Sequence, residues 1–74
     1  MDLSKDSDFF KMYGECWNLF KKYSKPSRWE DMEAYLREAR ELKNKYRQFA
    51  NYMDACLWHF GVMIENELKE KGNG

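Results

Sequence analysis

Apolar residues recur in one rhythm through most of this chain. Counted in sevens from Trp29, the seam runs Trp29, Met32, Leu36, Ala39, Lys43, Tyr46, Ala50, Met53, Leu57, Phe60, Ile64, and only Lys43 breaks it. Between Ser27 and Lys71 there is no proline and a single glycine, Gly61. A seam of this period predicts helices packed on helices, and its length points to a partner.

Upstream, Phe9, Met12, Tyr13, Cys16, Phe20 and Tyr23 recur at threes and fours, widened by Phe10, Trp17 and Leu19. Asp8, Lys11, Glu15, Asn18 and Lys22 take the other side. This predicts a one-faced helix over 7–23, capped by Ser7 with Asp8 in the first turn, after a frayed lead-in over 1–6. Ser24-Lys25-Pro26-Ser27 ends it, because proline cannot continue the hydrogen-bond ladder and biases Lys25 away from helical angles. Ser27 with Glu30 reads as a capping box that opens a second helix. Trp29, Met32, Tyr35, Leu36, Ala39, Leu42 and Tyr46 share its apolar face. Glu33–Arg37 and Glu41–Lys45 lace its polar side at the favourable four-residue spacing.

Whether the second helix continues to residue 71 decides the architecture. Asn44 is a candidate left-handed cap that would end it. The apolar phase passes through Asn44 without a reset, and Arg37 to Gln48 are mostly good helix formers, which favours continuity. An unbroken helix over 27–71 would reach roughly 67 Å against about 25 Å for the first. Its seam would then be bare in a monomer. Either the chain dimerises, or it folds back near 44–48 into a three-helix bundle. The expected fold is therefore all-α: one helical domain over 1–74, a short helix 7–23 packed on a helix 27–71 that is continuous or broken near 44–48.

The last helical segment is apolar on two sides. One stripe holds Phe49, Met53, Cys56, Leu57, Phe60, Met63, Ile64 and Leu68; Ala55, Trp58 and Val62 point nearly the opposite way. A helix apolar on two sides is central to something. Glu65–Lys69 and Glu67–Lys71 close it, and Gly72-Asn73-Gly74 ends it. No internal repeat and no low-complexity tract is evident.

Composition narrows the picture. The chain has 74 residues, and 18% are aromatic, which lets a small domain build a dense core. Thirteen basic residues balance thirteen acidic ones, so the usual charge signature of a nucleic-acid binder is missing. Cys16 and Cys56 fall on apolar faces without metal or redox spacing, and are expected to be reduced thiols of a cytosolic protein. The N-terminus does not resemble a signal or transit peptide, and Gln48–Ile64 is too short for a membrane span.

Candidate chemistry is sparse. Cys56 and His59 lie three apart on a helix, with Cys16 as a third potential metal ligand, but a fourth is missing and core residues are the simpler meaning. A cysteine nucleophile with His59 as base lacks an orienting partner, since Asp54 lies on another face. No phosphate loop or paired-carboxylate motif occurs. No enzyme activity, cofactor or small-molecule substrate is expected. A basic cluster of Lys21, Lys22, Lys25 and Arg28 at the first turn, with Arg37, Arg40 and Arg47 on the second helix, outlines a helix-turn-helix-like nucleic-acid face. Glu30 and Glu33 share that side and would repel phosphate.

Phe9-Phe10, Cys16-Trp17-Asn18-Leu19-Phe20-Lys21-Lys22-Tyr23, Trp29, Glu38-Ala39-Arg40-Glu41-Leu42 and Lys45-Tyr46 together resemble a group of small uncharacterised proteins of Firmicutes phages and mobile elements. The resemblance covers roughly residues 9–50. It implies a bacterial cytosolic setting and a mobile-element origin, and no specific activity. In that group a few turn residues separate the Lys-Tyr pair from the next phenylalanine; here only Arg47 and Gln48 do.

The function expected from these observations is a non-catalytic protein–protein interaction module, either a homodimer or an accessory subunit of another protein. Its contact residues would be Ala55, Trp58 and Val62, with the seam residues Met53, Leu57, Phe60 and Ile64. In a phage setting it would regulate or inhibit a host protein machine. A small nucleic-acid-binding regulator is the alternative.

Overall fold

The computed structural model describes residues 2–72, which form three helices: α1 (Asp8–Tyr23), α2 (Trp29–Lys45) and α3 (Ala50–Gly72). A single 3₁₀ turn (Arg47–Phe49) links α2 to α3. The helices pack up, down and up into a bundle of 45 × 19 × 16 Å. The fold-back therefore prevails over the continuous helix that the unbroken phase favoured. Asn44 plays no part in the reversal: it stays helical, and no non-glycine residue adopts a positive φ among the described residues. The predicted stop at Gly72-Asn73-Gly74 reaches outside the described residues.

The N-terminal lead-in is held rather than frayed. Ser4 N–H donates to Asp2, and Ser7 donates to the Ser4 carbonyl from both its backbone and its hydroxyl. Ser7 Oγ in turn accepts from Phe10 N–H at 3.1 Å and caps α1. At the start of α2 the capping acid is Asp31, not Glu30. Its Oδ2 accepts from Ser27 N–H at 2.9 Å and Arg28 N–H at 3.2 Å, so Arg28 is the cap residue and Ser27 lies one position outside.

The core is drawn from all three helices, most of it from α3: Met12, Cys16 and Leu19; Tyr35 and Ala39; Met53, Leu57, Ile64 and Leu68; with Tyr46 at the second reversal. On α2 the seven-residue count misassigns two positions, Trp29 and Leu36, each about half exposed. Tyr35 is fully buried and donates from its hydroxyl to the Leu57 carbonyl at 2.7 Å, while its neighbour Leu36 stands half exposed. Helices this short pack at 3.6 residues per turn, and the seven-residue register slips by about 20° per heptad.

A repeat hidden by unlike core residues organises α1 and α2. Glu15, Lys22 and Tyr23 on α1 have the same spacing as Glu38, Lys45 and Tyr46 on α2 and its cap. Because the two helices run antiparallel, each Lys-Tyr pair meets the other helix's glutamate. Lys22 Nζ lies 2.9 Å from Glu38, and the Tyr23 hydroxyl donates to the same carboxylate. Lys45 Nζ lies 2.9 Å from Glu15, and the Tyr46 hydroxyl donates to it. The tyrosine hydrogen bonds, then the lysine charges, hold both carboxyls below the usual glutamate range. Cross-helix partners displace the expected local ones: Lys45 serves Glu15 rather than Glu41, and Lys71 donates to the Pro26 carbonyl rather than to Glu67.

Candidate protein interface

The site is built on α3, whose circumference divides into three. Met53, Leu57, Gly61, Ile64 and Leu68 face inward. Cys56 and Phe60 turn toward α1, where Phe60 stacks on Phe20 with ring centres 4.3 Å apart and planes 11° apart. Ala55 and Trp58 are exposed and Val62 is partly so, on the flank beyond α2. Trp58 is 74% exposed, more than any other large apolar residue among the described residues.

Burial corrects the predicted contact set. Met53 and Ile64 are sealed inside the chain's own core, Leu57 is buried and reaches the surface only as the floor of the α2–α3 groove, and Phe60 is partly buried against α1. The reason is the second reversal: α2 returns along α3 and covers the seam. Ala55, Trp58 and Val62 remain at the surface, as the helical wheel placed them. Leu36, which the seam assigned to the interior, joins them, 49% exposed.

Two connected hollows lie along the α2–α3 junction and share Leu36, Leu57 and Trp58. The larger, about 410 Å³, is completed by Tyr35, Ala39, Arg40, Lys43 and Asp54. The smaller, about 110 Å³, is completed by Met32, Gly61, Val62 and Glu65. Gly61 brings the helices close there: a Cβ at this position would lie 3.5 Å from the Tyr35 ring and 3.7 Å from Met32. Lys43 and Asp54 pair across the groove at 3.0 Å. The result is an apolar trough walled by Trp58 and Leu36, with charge only toward its ends.

A second exposed indole, Trp17, differs in its surroundings. Its ring leans on Phe20 and Phe60 at 5.5 and 5.9 Å, so it closes the α1–α3 side of the molecule. Trp58 takes part in no ring–ring contact found among the described residues.

The seven basic residues of the nucleic-acid alternative are spread from the first reversal along α2 to the second. Lys22 is tied to Glu38. Arg40 lines the trough beside Trp58, whereas Arg37 lies elsewhere on α2, close enough to Glu38 to add to the lowering of its pKa. Lys21, Lys25 and Arg28 are exposed around the first reversal, and Arg47 is exposed at the second.

Cys16 is fully buried, and burial, aided by the nearby Cys56 and Glu15, pushes its thiol up to about 12. Burial also raises the Cys56 thiol, and both cysteines are free. His59 is exposed rather than part of the core. Among the described residues no three His, Cys, Asp or Glu side chains gather where they could hold one metal ion. No helix among them is long and apolar enough to cross a membrane. Compared with protein-family models, with curated proteins and with solved structures, the chain matches none of them.

Proposed function

We propose that this protein is a non-catalytic interaction module that docks an apolar helix of a protein chain in the α2–α3 trough. The observation that carries the reading is Trp58, which lies mostly in water beside half-exposed Leu36 while the bundle beneath is complete without either. A tryptophan on a fully packed scaffold contributes little to stability and much to association, because a partner that covers it removes a large apolar area from water. The trough supplies the shape that such anchors require, and its middle, bordered by Leu36, Leu57 and Trp58, carries no charged side chain. The resemblance to phage-borne proteins supports a setting in the bacterial cytosol, where the module would regulate or inhibit a host protein machine.

A photo-reactive phenylalanine analogue at position 58, irradiated in cells that make the protein, tests this. Covalent adducts with protein that disappear when Leu36→Glu is added support the reading. Adducts with nucleic acid alone, or protein adducts indifferent to Leu36→Glu, would overturn it.

A further inference from the structure

The charges at the two ends of the trough narrow the choice of occupant. At the larger hollow Lys43 and Asp54 neutralise each other at 3.0 Å, which leaves Arg40 as the net charge. At the smaller hollow Glu65 is the charged residue in the lining. Its salt bridge to Lys69 is long, 3.7 Å, and Lys69 lies outside the trough. The trough is thus positive at one end, negative at the other and apolar between.

A half-turn about an axis through its middle exchanges those ends. A second copy laid on the first by that operation brings each Arg40 against a Glu65, twice. The apolar middle then meets itself. Self-complementarity of this kind is the requirement of an isologous interface. The spacing agrees. Lys43 pairs with Asp54 at 3.0 Å, so Arg40, about one turn back on antiparallel α2, is level with Leu57, and Leu57 and Glu65 are about 12 Å apart along α3 at the α-helical rise. Their midpoint falls at Gly61, level with Leu36, which borders both hollows. The axis therefore passes through the most apolar part of the surface, and the charges sit symmetrically off it.

We infer that the helix docked in the trough is α3 of a second copy of this chain, in a twofold dimer that buries Trp58, Leu36 and Val62 at its axis and pairs Arg40 of each protomer with Glu65 of the other. This inference rests on the trough being a protein-docking surface and adds the identity and geometry of the occupant.

The test is a charge exchange followed by sedimentation equilibrium from micromolar to millimolar protein, with circular dichroism confirming that each variant is folded. Arg40→Glu and Glu65→Arg each place two like-charge contacts in their own dimer, and each is expected to raise the dimer Kd by about tenfold or more. An equimolar mixture of the two variants restores both opposite-charge contacts, so mixed dimers should form with close to the wild-type Kd. A wild-type chain that stays monomeric at millimolar concentration overturns the inference. So does a dimer indifferent to both substitutions, or a mixture that fails to recover. Photo-crosslinking from position 58 to a different protein, with a monomeric wild-type chain, would sink the dimer and leave the docking surface standing.

Discussion

The two chain reversals begin in the same way and are made of different material. Each starts where a Lys-Tyr pair grips a glutamate on the neighbouring helix: Lys22 and Tyr23 on Glu38, Lys45 and Tyr46 on Glu15. The first reversal then adds Pro26, fully buried, and Asp31, which caps α2 through the Ser27 and Arg28 amides. The second has no proline, no glycine and no side-chain cap. Tyr46 leaves the helical region at φ −119°, ψ 51°, and three residues later Phe49 lies against Phe9, ring centres 5.2 Å apart. A helix breaker is thus dispensable where a buried tyrosine and a cross-helix carboxylate fix the point at which the chain turns.

The most severe way to break this comparison is Tyr46→Ala. Removing a buried aromatic side chain costs about 3 kcal/mol, a large share of the stability of so small a domain. Urea denaturation should show a single transition at a much lower midpoint. Tyr23→Ala, at a half-buried site next to a turn with its own proline and cap, should cost clearly less. Equal losses would mean that the clasps do not carry different weights.

Tyr46→Phe removes only the hydrogen bond to Glu15. The carboxylate is partly solvated, so the expected loss is about 1 kcal/mol rather than the larger value of a buried charge-assisted bond. Its pH dependence isolates the clasp. Glu15 is held low, so its contribution is complete above about pH 4.3 and fades as pH falls below it. The same hydrogen bond raises Tyr46, whose contribution is complete below about pH 10 and fades as pH rises beyond it. The difference in urea midpoint between wild type and Tyr46→Phe should be flat from about pH 5 to 9 and shrink at both extremes. A difference that does not begin to shrink as pH falls below about 4.3 would remove Glu15 as the partner.

Asp31→Ala sharpens the other side. Loss of the cap should lower Tm by a few degrees on a circular dichroism melt, while Glu30→Ala should leave it nearly unchanged. The smallest effect lies away from both turns. Gly14 sits mid-helix with nothing within 4 Å of an added Cβ, so Gly14→Ala should stabilise by about 0.5–1 kcal/mol.

Local chemistry is readable wherever it acts through near neighbours. The helical character of the chain, the Ser7 cap and the reversal at Pro26 follow from period, capping side chain and ring constraint. The spare flank of α3 also follows from spacing alone: Ala55, Trp58 and Val62 fall on one side of a wheel whatever covers the rest. The candidate interface was therefore half legible. Its Trp58 wall comes from one helix, whereas Leu36, Arg40 and the trough between them need α2 laid beside α3. The clasps escaped notice because matching glutamates and Lys-Tyr pairs mean little until two helices run antiparallel.

What the sequence by itself determined is a set of amphipathic helices, one certain turn and one surplus apolar face. Only the tertiary structure decided that the chain turns again at Tyr46, that Met53, Leu57 and Ile64 are inside, and that Leu36 is outside. The physical reason is that periodicity specifies which residues share a face, while burial depends on what arrives to cover that face. Here the covering element is held by contacts to Glu15 and Phe9, thirty or more residues away in the chain.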